Sequence, residues 1–139
     1  MKKGSNDIVI NFLDHVAIRV KNMEVSEKWY NEVLGLQKYK LPKWGEFPVF
    51  MLSGKCGVAL FPAKTDDPQL PDNSKNVKID HFAFNVSKDS FESAVDRYRA
   101  FNLDFHIQDH HYFHSIYTKD PDGHTVELTT IVVDEDSFY

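Results

Sequence analysis

Residues 13–20 read LDHVAIRV, and residues 79–86 read IDHFAFNV. The two octets share Asp-His at their second and third places, Ala at the fifth and Val at the eighth. A repeat of this kind points to a duplicated structural unit. The segments after the octets repeat as well. MEVSEKWYNEVL (23–34) and KDSFESAVDRYRAF (88–101) have helical patterns, and they run into Gly35-Leu36 and Asn102-Leu103. Glycine and asparagine both tolerate the left-handed backbone that closes a helix.

Strand-like runs come next. FPVFML (47–52) and VALFPA (58–63) flank the turn SGKCG (53–57). YFHSIYT (112–118) and HTVELTTIVV (124–133) flank KDPDG (119–123). Asp-Pro-Asp-Gly is a strong turn signal, because Pro presets one backbone angle and Gly supplies a positive φ. Weaker strands fall around 36–40 and 103–108. The reading is therefore an α+β fold of two βαβββ modules. Module 1 covers about 10–63 and module 2 about 77–133, with a polar, proline-containing linker at 64–76, all within one domain spanning 1–139. Each module has a sheet face it cannot bury alone. Paired modules would form a curled mixed-sheet cup with helices outside, a natural ligand site.

Strand side chains alternate between faces. Val16, Ile18 and Val20 share one face of the first strand, and Phe82, Phe84 and Val86 share one face of its repeat; both should pack on helices. The opposite faces carry His15, Ala17 and Arg19, and His81, Ala83 and Asn85. In the last strand Val126 and Leu128 take the apolar side, so Glu127 shares the other with Thr125 and Thr129. A carboxylate placed between buried apolar neighbours is costly unless paired or metal-bound. Two imidazoles and one carboxylate suit a divalent cation and leave coordination positions open, the 2-His-1-carboxylate arrangement. His15, His81 and Glu127 are the candidate metal ligands.

Composition sets bounds on function. Hydrophobic residues make up 42% and charged residues 27%, which suits a globular chain with a substantial core. A net charge of −5 and no basic run argue against nucleic-acid binding. The N-terminal stretch lacks the apolar segment of a secretory signal or membrane span. One cysteine, Cys56, excludes a disulfide within the chain, and a cytoplasmic location is expected.

LDHVAIRV, the helix ending WYNEVLGL, IDHFAFNV and YTKDPDGHTVEL together resemble the vicinal-oxygen-chelate superfamily over about residues 10–131. That group includes glyoxalase I, extradiol dioxygenases, methylmalonyl-CoA epimerases, fosfomycin-resistance enzymes and bleomycin-binding proteins. The resemblance implies one divalent metal, with Fe(II) favoured over Zn, Ni, Co or Mn. It implies a small-molecule substrate that chelates the metal through adjacent oxygens, and a homodimer, since some members exchange modules between chains. A fourth ligand position falls near Ala59 or Phe61, both apolar, which counts against the glyoxalase I and epimerase chemistries. The His, His, Glu set is shared by extradiol dioxygenases and fosfomycin-resistance enzymes, and the dioxygenase-like reading is favoured. Against the fosfomycin-type epoxide-opening transferase stand the tail IVVDEDSFY, with no Arg or Lys, and Ala17 in place of a hydroxyl residue. The resemblance also leaves room for a glyoxalase-type lyase or isomerase and for a metal-free drug-binding protein.

Tyr117 stands ten residues before Glu127, a spacing that resembles that of the extradiol active-site tyrosine and that also occurs in fosfomycin-resistance enzymes. By strand parity His111, Phe113, Ser115 and Tyr117 share the inward face. Tyr117 and His111 are thus the candidate catalytic proton-transfer residues. Arg19, Asn85, Trp44 and Phe50 are candidate substrate contacts, Arg19 for an anionic group and the aromatic pair for an apolar one. A second metal site in DHHYFH (109–114) is the weaker reading, and His106 and His124 read as surface or strand-edge residues.

Overall fold

The structure is a computed structural model that describes residues 8–64 and 67–139. The first half contains β1 (His15–Val20), α1 (Met23–Glu32), β2 (Gln37–Tyr39), β3 (Val49–Ser53) and β4 (Cys56–Pro62). The second contains β5 (Phe82–Asn85), α2 (Lys88–Ala100), β6 (Phe105–Asp109), β7 (Phe113–Lys119) and β8 (Thr125–Ile131). Both halves are βαβββ, as the repeat requires, and the two weak strands are real.

The helices begin and end as their sequences dictate. The Asn22 and Ser87 side chains accept the Val25 and Ser90 amides, which satisfies a donor that an isolated helix end leaves bare. Gly35 and Asn102 then take positive φ, 74° and 55°. Leu36 and Leu103 donate back to the Tyr30 and Tyr98 carbonyls and close the two C-termini in the same manner.

The strands form two four-stranded mixed sheets, ordered β1-β4-β3-β2 and β5-β8-β7-β6. In each, the first strand runs parallel to the last, and the remaining pairs are antiparallel. Ala17 pairs with Ala59 and Phe50 with Ala59; Ala83 pairs with Glu127 and Tyr117 with Glu127. The duplication therefore extends to the register: Ala59 stands where the second half has Glu127, and Phe50 stands where it has Tyr117.

Ile18, Val20, Tyr30, Met51, Val58 and Leu60 build the first core cluster. Phe91, Ala94, Tyr98, Ile116 and Leu128 build the second. Each borrows from the other half: Val126 joins the first cluster and Val33 the second. The face carrying Val16, Ile18 and Val20, and that carrying Phe82 and Phe84, do pack inward.

The 119–123 turn provides a polar lock between the halves. Asp120 Oδ1 accepts the Asp122 and His124 amides, and Gly123 (φ 87°) closes the bend. Its other oxygen accepts the buried Tyr30 hydroxyl of α1 at 2.7 Å. Asp122 accepts the Lys21 amide and the Ser26 hydroxyl, and His124 Nε2 meets the Arg19 carbonyl at 2.9 Å. His124 is thus a strand-edge tie, as its sequence context suggests.

Candidate metal centre

His81 lies just before β5 and Glu127 in the middle of β8. His81 Nε2 and Glu127 Oε1 are 3.0 Å apart. The other imidazole nitrogen, Nδ1, is 2.8 Å from Asp80 Oδ2. One ring thus faces a carboxylate on each side. A neutral imidazole has a single N–H and can satisfy only one of them. In one tautomer the ring proton lies toward Asp80, and in the other toward Glu127. The hydrogen bond from His81 also holds the Asp80 carboxyl below the ordinary carboxylate range.

Glu127 is buried, and its second oxygen accepts the buried Ser115 hydroxyl at 2.7 Å. Ser115 Oγ also meets Thr129 Oγ1 at 2.9 Å. A buried carboxylate that is hydrogen-bonded on one oxygen directs the other at a fixed point. The cost of burial is met by Ser115 on one side and by His81 on the other.

His15 repeats half of this arrangement. Its Nδ1 is 2.7 Å from Asp14 Oδ2, which leaves Nε2 as the nitrogen free to ligate. Its ring sits edge-on to Phe50 at 5.0 Å, and Trp44 also lies 5.0 Å from Phe50. The sequence leaves open whether the three candidate ligands meet within one chain or across two. Among the described residues no group of three or more His, Cys, Asp or Glu side chains comes within metal-binding reach. His81 and Glu127 are together; His15 lies on the first sheet. The physical reason is the topology. Each sheet ends on an edge strand, β1 or β5, and the two edges are not hydrogen-bonded to each other. Each module contributes one curled four-stranded mixed sheet, as the repeat leads one to expect.

Tyr117 lies beside the pair. Its ring is edge-on to His81 at 5.7 Å and stacks face-to-face on His106 at 4.8 Å with an interplanar angle of 8°. Its hydroxyl is 2.9 Å from His110 Nε2. Burial, then the nearby Glu127 carboxylate, hold its phenol above the ordinary value. The histidine that reaches Tyr117 is His110, not His111. The parity argument extended β7 back to residue 111, but the strand begins at Phe113, and His111 turns out at φ 69° with its amide on Asp109. His106, read as peripheral, is part of this cluster, and the register that pairs it with Tyr117 explains why.

Arg19 folds back on its own sheet, over the Phe61 ring at 5.1 Å, with Nη1 on the Pro62 carbonyl at 3.1 Å. It shares a cavity of about 520 Å³ with Ala17, Lys78, His81 and Lys119. Asn85 pairs with Thr129 in register, and its amide meets the Tyr139 hydroxyl at 3.5 Å. Trp44 and Phe50 belong to the first half, where Phe50 packs against both Trp44 and His15.

Asp14, Asp80 and Ser115 flank the candidate ligands although the sequence reading gives them no role there, and His110, weighed in sequence only for a second metal site, meets Tyr117 instead. The repeated Asp-His dipeptide is the available signal for the first two. Ser115 is visible as an inward residue, and only the cross-strand register brings it to Glu127.

Residues 12–128 match the family described as the Glyoxalase/Bleomycin resistance protein/Dioxygenase superfamily. The chain belongs to that superfamily. The metallothiol transferase FosB of Lysinibacillus sphaericus is 28% identical over 126 residues, covering 88% of this chain and 84% of the relative. The glutathione transferase FosA of Serratia marcescens is 26% identical over 120 residues, covering 86% and 81%. A glyoxalase/dioxygenase structure from Nostoc punctiforme superposes with a TM-score of 0.76 at 18% identity, covering 94% of this chain and all of that one. The last is a likeness of fold. Within the superfamily, then, FosB and FosA are transferases, and the favoured dioxygenase reading draws no support from them.

Proposed function

We propose that this superfamily member is a divalent-metal enzyme that adds a nucleophile to a small oxygen-bearing electrophile, its centre completed by two copies of the chain. The observation that carries the reading is the contact between His81 Nε2 and Glu127 Oε1, each group braced from behind by Asp80 and Ser115. His81 and Glu127 of one copy and the Asp14-braced His15 of another would hold the ion. A bound divalent ion supplies Lewis-acid stabilisation of negative charge developing on a substrate oxygen. The likeness to two transferases draws the chemistry toward transfer of a thiol, an epoxide being the natural acceptor, rather than ring cleavage by Fe(II) and oxygen. That chemistry asks for a Lewis acid and no redox change, which Mn, Zn, Co or Ni can provide.

The chain's own groups divide the remaining work. Tyr117 keeps its proton, since burial and Glu127 both oppose ionisation, so its hydroxyl is a donor for an oxygen that gains charge. His110 holds that hydroxyl in place at 2.9 Å, and His106 fixes the ring plane by stacking. Phe50 and Trp44 of the other copy would close the apolar side and exclude water.

The decisive experiment mixes two variants. His15→Ala and Glu127→Ala, each alone, should bind no Mn(II) tightly by isothermal titration. Refolded together at equal ratio, mixed pairs contain one site with both lesions and one with none, so tight binding should return in a minority of sites. Return of thiol consumption with an epoxide should track it. Loss of binding in the mixture, beside full binding by the unaltered protein, would defeat the shared-site reading.

A further inference from the structure

The duplication makes two crevices, and they have diverged. Each lies between the first strand of one half and a hairpin turn of the other. The cavity that holds Arg19 and His81, about 520 Å³, is lined by β1 and by the turn after β7. Its counterpart, about 830 Å³, is lined by β5 and by the turn after β3. The two turns differ in length. Lys119 pairs with Thr125, so residues 120–124 span the second; Ser53 pairs with Cys56, so Gly54 and Lys55 alone span the first.

That difference reaches the buried tyrosines. Tyr30 and Tyr98 hold matching places in α1 and α2, and both are fully buried. Tyr30 finds Asp120 in the long turn. The short turn carries no acid, and the Tyr98 hydroxyl has no hydrogen-bond partner among the described residues. Tyr98 packs in one cluster with Val33, Ala94 and Leu128, which line the larger crevice. The polar lock found on one side of the molecule is therefore missing on the other, and the space there stays open.

The open crevice has an apolar floor and a cationic rim. Phe82, Phe84 and Val86 of β5 meet Val16 of β1 and Leu34 and Leu36 beyond α1. None of His15, His81 and Glu127 lines it. On α2, Ser90, Ser93 and Arg97 stand at i, i+3 and i+7, a polar row about 10 Å long at the helical rise. Lys55 joins from the short turn. Among the described residues no aspartate or glutamate lines this space, in a chain whose net charge is −5. Arg97 is exposed, and its Nη1 reaches the Val33 carbonyl at 3.5 Å, the outer limit of a hydrogen bond. The smaller crevice differs in this respect, since Asp72, Asp80 and Asp122 stand among its cations.

We propose that the larger crevice is a binding site for an amphiphilic monocarboxylate, its head at Arg97 and Lys55 and its hydrocarbon chain over Phe82, Phe84 and Leu34. The anion follows from two cations with no acid among the lining groups, and a carboxylate matches the fork of a guanidinium. The chain follows from an apolar floor of this size. The site is separate from the metal centre and does not depend on it.

The test titrates hexanoate, octanoate, decanoate and decanol, each below its micelle concentration, into the metal-free full chain by calorimetry. The expected result is one carboxylate per chain, with affinity rising about threefold per added methylene. Decanol should bind about tenfold more weakly than decanoate. Replacing both cations, Lys55→Gln with Arg97→Gln, should bring decanoate to the level of decanol and leave decanol unchanged. Ser93→Trp, at an exposed position of α2, should exclude both ligands by filling the crevice while the circular dichroism spectrum stays the same. Equal binding of decanoate and decanol, decanoate affinity indifferent to the loss of both cations, or no saturable binding would overturn the proposal. Decanoate binding that weakens as protein concentration rises, in step with dimer formation seen by sedimentation, would overturn it as well and assign the crevice to a second copy of the chain.

Discussion

Ser115 shows how much one small side chain can determine. Its hydroxyl is buried and gives its hydrogen bond to Glu127, and no water can replace it cheaply in that position. Ser115→Ala should leave the fold intact, yet weaken metal affinity roughly 10-fold to 100-fold, the range found when an orienting partner of a ligand is lost. Titration with Mn(II) checks this, and an unchanged affinity would mean that Glu127 needs no brace. The candidate ligands are legible in the sequence because the duplication repeats the histidines and because strand parity isolates Glu127 between Val126 and Leu128. His110 is not legible. Parity works only while the strand continues, and the left-handed backbone at His111 shifts every inference upstream of Phe113. His106 escapes for a related reason, since nothing in a single strand reveals which ring lies across from it.

At the scale of elements, each helix and strand follows from local chemistry. Left-handed closures at Gly35 and Asn102 and the Asp-Pro-Asp-Gly bend stand where the sequence places them, and Asn22 and Ser87 cap the two helix starts. The tight point is the β3–β4 hairpin. A methyl group on Gly57 would strike the Met51 carbonyl oxygen and crowd the Leu52 backbone, neither of which can yield without moving the ladder. Gly57→Ala should therefore cost about 1–3 kcal/mol, as overpacking does in an ordered interior. Urea denaturation would read the loss as a lower midpoint at unchanged slope. The same substitution at Gly54, where space is open, would test backbone strain instead, because that residue has φ 61°.

For the molecule as a whole, the two halves are joined by shared core residues and by buried tyrosines. Tyr30 donates to Asp120 across the halves, and burial, with Asp120 and Asp122, pushes its phenol well above the ordinary value. Tyr98 is raised as well, by burial. Both folded-state values lie above the unfolded one, so the stability they confer is complete below about pH 10 and is lost as pH rises past it. At pH 11 each suppressed ionisation should cost about 1.4 kcal/mol relative to neutral solution. Denaturation midpoints at pH 9 and pH 11 would reveal it, and Tyr30→Phe should shrink the difference. A midpoint indifferent to this interval would mean that the tyrosines ionise freely while folded. The fold class is evident from sequence, but the separation of the candidate ligands is not. A repeat reports that two halves are alike, and it carries no information about whether they face each other or a neighbour.

The bare edges of β1 and β5 have a kinetic consequence. If a working centre exists only where two molecules meet, turnover per chain cannot be a constant of the protein. It must decline as the solution is diluted past the point where the pairs separate, and rise again on concentration. Rate plotted against the amount of protein would then curve upward from the origin instead of running straight, and the bend would mark the strength of the pairing.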